Sequence, residues 1–212
     1  MKKLIIILVF ISSVIYSQKI GDIIEEKPQV IFPTNSWGID IMIGEGGFGL
    51  GTFFRKAFTQ NFYGFVDFSI SESKDEREIQ YWDYWGNVYT FGKKNRVFLM
   101  PVNFGIQYRL FSNDLTESLR PFVCVGAGPH FILTTPYDKE FFNSFGYAQM
   151  KYAVGGYIGF GANFGSSTST LVGLTFKYFY LHVLGDGVEN LYNKFRKNIS
   201  HFYLTLNLGL MY

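Results

Sequence analysis

The chain reads as all-β, an eight-stranded antiparallel up-and-down transmembrane β-barrel. Three observations lead there. Aromatic residues make up 20% of the chain, with 24 Phe and 15 Tyr beside 23 Gly. Beyond the first residues no apolar run is long enough for a membrane helix. Instead, apolar residues alternate with small or polar ones over segments of ten residues and more, the pattern of a barrel strand with one face on lipid.

The clearest segment is the last. Phe202, Leu204, Leu206, Leu208, Leu210 and Tyr212 share one face, and Tyr203, Thr205, Asn207, Gly209 and Met211 the other. Eleven residues suffice to cross a bilayer as a tilted strand, about twice a typical soluble strand. Earlier segments repeat the pattern. Val172, Leu174, Phe176, Tyr178 and Tyr180 oppose Gly173, Thr175 and Lys177. Tyr152, Val154, Ile158, Phe160 and Phe164 oppose Gly155, Gly159, Gly161 and Asn163. Val123, Val125, Ala127 and Phe131 oppose Cys124, Gly126, Gly128 and His130. Val102, Phe104, Ile106, Tyr108 and Leu110 oppose Asn103, Gly105, Gln107 and Arg109, and Val66, Phe68 and Ile70 oppose Asp67, Ser69 and Ser71.

Near the start, Trp37, Ile39, Ile41 and Ile43 lie opposite Asp40, and then Phe48, Leu50, Thr52 and Phe54 share a face. The apolar phase changes from odd to even across Gly44-Glu45-Gly46-Gly47, which fits either a bulge or a tight turn. The turn is preferred because it makes eight strands. An even count puts both ends in the periplasm. Connections near residues 57–61, 111–119 and 165–169 are short, whereas those near 74–95, 134–150 and 183–199 are long. That is the expected asymmetry between periplasmic turns and external loops.

Residues 1–17 read as a signal peptide: Lys2 and Lys3, then an apolar stretch from Leu4 to Ile15, then Ser17 before a cleavage point at Gln18. Residues 18–36, with Pro28 and Pro33, read as a periplasmic lead, and 37–212 as the barrel. Removing Lys2 and Lys3 from the 19 basic residues leaves them equal in number to the 17 acidic ones, so no net charge points to nucleic acid. Cys124 is the one cysteine, which excludes an intrachain disulfide and a cysteine-based metal cluster. No cofactor is expected.

Asp40, Arg55, Asp67, Arg109 and Lys177 fall on the inner face. They are expected to pair there, with Asp40, Asp67, Arg109 and Lys177 forming a lumen polar network, since an eight-stranded barrel has room inside only for side chains. Gly44 to Gly49 fits G-x-G-x-x-G, but the following residues continue as strand rather than open a helix, so turn chemistry accounts for it. His130 points inward, and its default reading is a buried, hydrogen-bonded histidine. Tyr81, Trp82, Tyr84 and Trp85 lie in the longest external loop beside Asp83. They suit stacking on a glycan or contact with a protein, or else packing on one another. Phe141, Phe142 and Phe145 in the next loop allow the same two readings.

Gly49-x-Gly51-x-Phe53-Phe54-Arg55, Gln60-Asn61-Phe62, Gly105-Ile106-Gln107-Tyr108-Arg109-Leu110 and Arg120-Pro121-Phe122 through Gly126-Ala127-Gly128-Pro129 resemble the small outer-membrane β-barrel domain family of Gram-negative bacteria. The resemblance covers roughly residues 37–212 and implies residence in the cell outer membrane. The terminal Tyr212, with Phe202, Leu208 and Leu210 before it, resembles the C-terminal signal read by the barrel-assembly machinery. The expected role is structural or surface-interacting, without catalysis, for a monomer surrounded by outer-membrane lipid. The alternatives are a narrow solute channel through the lumen, a lipid-modifying barrel enzyme using His130, and a soluble barrel holding an apolar ligand. The last would need apolar inner faces.

Overall fold

A computed structural model describes residues 32–86, 88–112, 115 and 118–212. The expected signal peptide and most of the lead lie outside them. Eight long strands close into one antiparallel barrel: β1 (Asn35–Gly44), β2 (Gly47–Ala57), β3 (Phe62–Glu72), β6 (Asn95–Arg109), β7 (Leu119–Pro136), β8 (Gln149–Phe164), β9 (Thr170–Val183) and β12 (Asn198–Met211). Each pairs with its sequence neighbour among these eight, and β1 closes the ring on β12, with Ile39 opposite Leu208. Closure gives every strand two hydrogen-bonding neighbours and leaves no edge, the condition for a sheet in lipid.

The alternation behaves as the sequence phases predict. Trp37, Ile43, Leu50, Ile70, Phe104, Val125, Ile158, Phe176 and Leu210 face outward and are exposed on the isolated chain. Asp40, Asp67, Asn103, Gln107, Thr175, Lys177, Thr205 and Asn207 face inward and are buried. The mean exterior is therefore apolar and the interior polar, the reverse of a soluble barrel. The soluble, apolar-lumen alternative does not fit this arrangement.

Gly44 pairs with Gly47, so Glu45 and Gly46 form a two-residue turn rather than a bulge, and Gly47 takes φ +121°. On the inner wall, a Cβ at Gly105 would lie 2.3 Å from the Phe65 ring. That glycine lets Phe65 lie across the lumen and stack on Tyr157 at 6.0 Å.

The structure differs from the sequence reading at the strand ends. β1 begins at Asn35, two residues inside the expected lead, and β7 runs to Pro136. Two of the three long loops carry hairpins of their own. These are β4 (Gln80–Trp82) with β5 (Val88–Thr90), and β10 (Val188–Leu191) with β11 (Lys194–Arg196). The other carries one helical turn, α1 (Phe141–Ser144). Alternation cannot mark elements of three or four residues, because they span at most two periods.

Candidate functional site

The lumen is filled in layers. At mid-height Lys177 Nζ on β9 meets Asp40 Oδ2 on β1 at 2.9 Å, with both side chains buried. The Asn207 amide donates to Asp40 Oδ1 at 2.5 Å, and the Thr175 hydroxyl donates to Asn207 Oδ1 at 2.6 Å. Asp67 on β3 accepts from Asn103 at 2.8 Å and from the Tyr157 hydroxyl at 2.5 Å. Asp40, Asp67 and Lys177 thus border one cavity, in two hydrogen-bonded clusters. Among the described residues no cationic group lies within ion-pair distance of Asp67.

Arg109 does not join it. It is the last residue of β6 and lies with Arg55 and Arg120 at the end of the barrel where β1 begins and β12 ends, against the same small cleft. Inward phase fixes the face of a residue and says nothing of its depth, and depth separates Arg109 from the carboxylates. His130 is buried as expected, but neither ring nitrogen has a hydrogen-bond partner among the described residues. Its expected hydrogen bond is therefore absent there. Tyr157 escaped the sequence reading, and Asn103 and Asn207 entered it as inner-face residues without their role as partners of the carboxylates. Tyr157 carries a signal in retrospect, as a large residue with a polar tip on a face otherwise made of Gly155, Gly159 and Gly161.

Above this network the lumen turns apolar. Val97, Leu99, Ile132, Ala153, Leu181, Val183 and Ile199, from the outer ends of five strands, pack with Val188 of β10 into a dry layer. The β10–β11 hairpin lies across the mouth, and all four residues of β10 are buried. Backbone bonds tie it to the base of the longest loop: Lys94 N–H to Asn190 O at 2.7 Å, and Tyr192 N–H to Gly92 O at 3.0 Å. The Asn190 amide donates to Ser73 O at 3.1 Å, and the Lys94 ammonium pairs with Glu189 at 2.5 Å.

Asp75 completes this latch. Arg77 grips its carboxylate with both Nε and Nη2, at 2.9 and 2.8 Å, and Arg196 Nε stands 3.2 Å from Oδ2. Burial pushes the Asp75 carboxyl up, but the Arg77 hydrogen bonds and the Arg196 charge outweigh it and hold the group below the usual aspartate value. A lowered folded value means that the stabilisation is present above about pH 4 and is lost as the pH falls through that lowered value. Amide exchange of the latch, read at Lys74 and Tyr192, is therefore expected to speed up below pH 4 relative to the barrel strands. In Asp75→Asn the extra acceleration should vanish; its persistence would remove Asp75 as the cause.

The four predicted loop aromatics sit on the β4–β5 hairpin. Tyr84 is 96% exposed, Trp85 84%, Trp82 73% and Tyr81 57%. Tyr84 and Trp85 meet edge to face at 5.8 Å, and the Asp83 carboxylate accepts the Trp85 N–H at 2.9 Å, which shapes the tip. The base is fixed by the Lys93–Glu78 pair at 2.9 Å. The next loop behaves differently. Phe141 and Phe145 pack on Phe98 of the barrel wall, and Phe142 remains exposed. Packing is thus the outcome for most of that loop, and exposure for the longest one. At the C-terminus Phe202, Leu208, Leu210 and Tyr212 all lie on the outward face, with Phe202 against Tyr178 at 4.6 Å. Among the described residues no group of three or more His, Cys, Asp or Glu could hold a metal ion.

A closed antiparallel barrel with an apolar belt outside, a filled polar interior and structured loops at one end is an integral outer-membrane barrel protein. It is the architecture that the sequence resembles. The chain is similar to Ail, the attachment invasion locus protein of Yersinia pestis, at 12% identity over 85% of this chain and 99% of that one, with a TM-score of 0.44. It is similar to Neisserial surface protein A at 9% identity, over 84% and 94% of the two chains, with a TM-score of 0.48. A third similar structure is the N-terminal β-barrel domain of Pseudomonas aeruginosa OprF, at 12% identity, 84% and 97% coverage and a TM-score of 0.45. No family model matches the chain, and no curated protein sequence does.

Proposed function

We propose that this barrel is a surface-interaction protein, a rigid membrane anchor that presents the β4–β5 hairpin to a glycan or protein ligand outside the cell. The observation that carries the reading is that hairpin. Four large aromatic side chains stand exposed on a tip whose base is fixed by an ion pair and whose turn is shaped by Asp83. Amphipathic rings held in place lose little conformational freedom on binding, which makes them effective contact residues.

The test is adhesion or glycan-array binding by intact cells displaying the protein. Trp82→Ala with Trp85→Ala is expected to cut binding at least about tenfold, equivalent to roughly 1.4 kcal/mol, without altering barrel stability. Equal binding by the double variant and the parent would sink the reading. A protein ligand and a glycan separate by whether protease or glycosidase treatment of the target abolishes binding.

The solute-channel alternative meets two obstacles, the Val188 layer across the mouth and the paired charges beneath it. Negligible conductance in planar bilayers is therefore expected, and sizeable steady channels would favour the channel instead. The outward row ending in Tyr212 supports its role as the assembly signal. Tyr212→Ala is expected to reduce insertion into the outer membrane while leaving the export step unchanged.

A further inference from the structure

The periplasmic end of the lumen contains a small cleft bordered by Arg55, Arg109 and Arg120, with Gln107, Asn163 and Phe122 between them, and by no carboxylate among the described residues. Arg55 is only 7% exposed, and its Nη1 has no hydrogen-bond partner among the described residues. Arg109 Nε is buried there in the same condition. Arg55 also borders the cavity above, which holds Asp40 and Asp67. Those carboxylates are committed to Lys177 and Asn207, and to Asn103 and Tyr157. Neither Arg55 nor Arg109 forms an ion pair among the described residues.

A guanidinium taken from water without a matching acceptor is costly. Here Arg55 is held by ring faces, 4.2 Å from the Phe53 centroid and 5.7 Å from that of Phe122, which offer attraction but no acceptor for its N–H groups. Arg120 apart, Lys177, Arg55 and Arg109 against Asp40 and Asp67 leave one positive charge over among the described residues that line the cleft and the cavity above it. The guanidinium fork matches the spacing of two oxygens on a carboxylate or phosphate group.

We propose that the cleft is an oxyanion site, in which Arg55 and Arg109 hydrogen-bond one carboxylate or phosphate group and Arg120 forms a charged wall. Two sources supply that chemistry. One is a free anion of the periplasm. The other is the chain's own Glu25 or Glu26, which precede Phe32; the Phe32 ring lies 3.9 Å from the Arg120 guanidinium at the rim of the cleft. Six or seven residues of extended chain reach about 20 Å, ample to return a carboxylate to the site.

The experiment uses the full mature chain in a neutral detergent, with inorganic phosphate as probe and sodium chloride of equal ionic strength as control. Phosphate binding is followed by calorimetry, and stability by the temperature at which the folded gel mobility is lost. Saturable phosphate binding by the parent, with a rise of about 5 °C at hundredfold excess over Kd, establishes the site with a free oxyanion as occupant. Arg109→Gln and Arg55→Gln should each then weaken phosphate by about tenfold or more. A silent parent, with phosphate binding that appears once Glu25→Gln and Glu26→Gln are combined, establishes the site with the chain's own carboxylate in it. Arg55 is deeply buried, so Arg109→Gln and the glutamate variant carry the decision whether or not Arg55→Gln folds. No phosphate binding above the chloride control in either the parent or the glutamate variant overturns the proposal. So does binding that Arg109→Gln leaves unchanged.

Discussion

Lys177→Met is expected to destabilise the barrel by about 3–5 kcal/mol, because it leaves the Asp40 carboxylate buried with amide partners alone. The pair joins β9 to β1 through the lumen, past β12 that lies between them in the sheet. The carboxylate that the substitution leaves behind is still held by Asn207, which links Asp40 to Thr175. Urea titration of the folded gel mobility, in one detergent at one pH, measures the effect. The companion variant combines Lys177→Met with Asp40→Asn and removes both charges at once. It should recover most of the loss, since much of the cost of the single change is an unpaired charge rather than a lost attraction. A double variant no more stable than the single one would show that shape, and not charge, is what the pair supplies.

Ile158→Arg is expected to cost about 2–4 kcal/mol in a bilayer. Ile158 lies in the middle of β8, between Val125 and Tyr178 on the neighbouring strands, and is 63% exposed on the isolated chain. That exposed area is lipid contact when the barrel is embedded, so the arginine must either desolvate or thin the bilayer around it. Folding into lipid vesicles and resistance to urea there should both fall, and Ile158→Leu should leave them unchanged. On a soluble barrel the same arginine would face water at no cost. An unaffected Ile158→Arg would therefore contradict the lipid-facing assignment of the whole exterior.

The exterior was legible because lipid imposes one rule on every outward position. Leu204, Leu206, Leu208 and Leu210 repeat that rule along a single strand, and the same phase recurs in seven others. The inward set was legible as a face but not as a constellation. Asp40 and Lys177 meet across the lumen, and nothing local in β1 or β9 announces it, because their approach depends on how the closed ring is staggered. Arg109 shows the limit most directly. Its phase equals that of Asn103, yet six residues at about 3.4 Å each place it some 20 Å farther along the tilted strand. Counting from the strand end would have grouped it with Arg55 and Arg120, both also near periplasmic ends. The apolar seal was not legible at all. Val188 and Leu191 belong to a four-residue strand, and their burial comes from the loop folding back over the mouth rather than from any periodic pattern.

The division of the longest loop into a clamped base and an open tip has a consequence for how such a surface changes over time. At the base, Glu78 and Lys93 pair within the loop, while Asp75 reaches Arg196 and Lys93 bridges to Leu191 of the last long loop, so substitutions there are felt across the mouth. At the tip, Tyr84 and Trp85 touch little beyond each other. Changes of sequence or length at the tip should consequently leave the packing of the barrel undisturbed, whereas changes in the anchor beneath it would not. A foreign peptide spliced between Trp85 and Gly86 should be carried to the cell exterior on an intact barrel, as a new recognition surface on an old support.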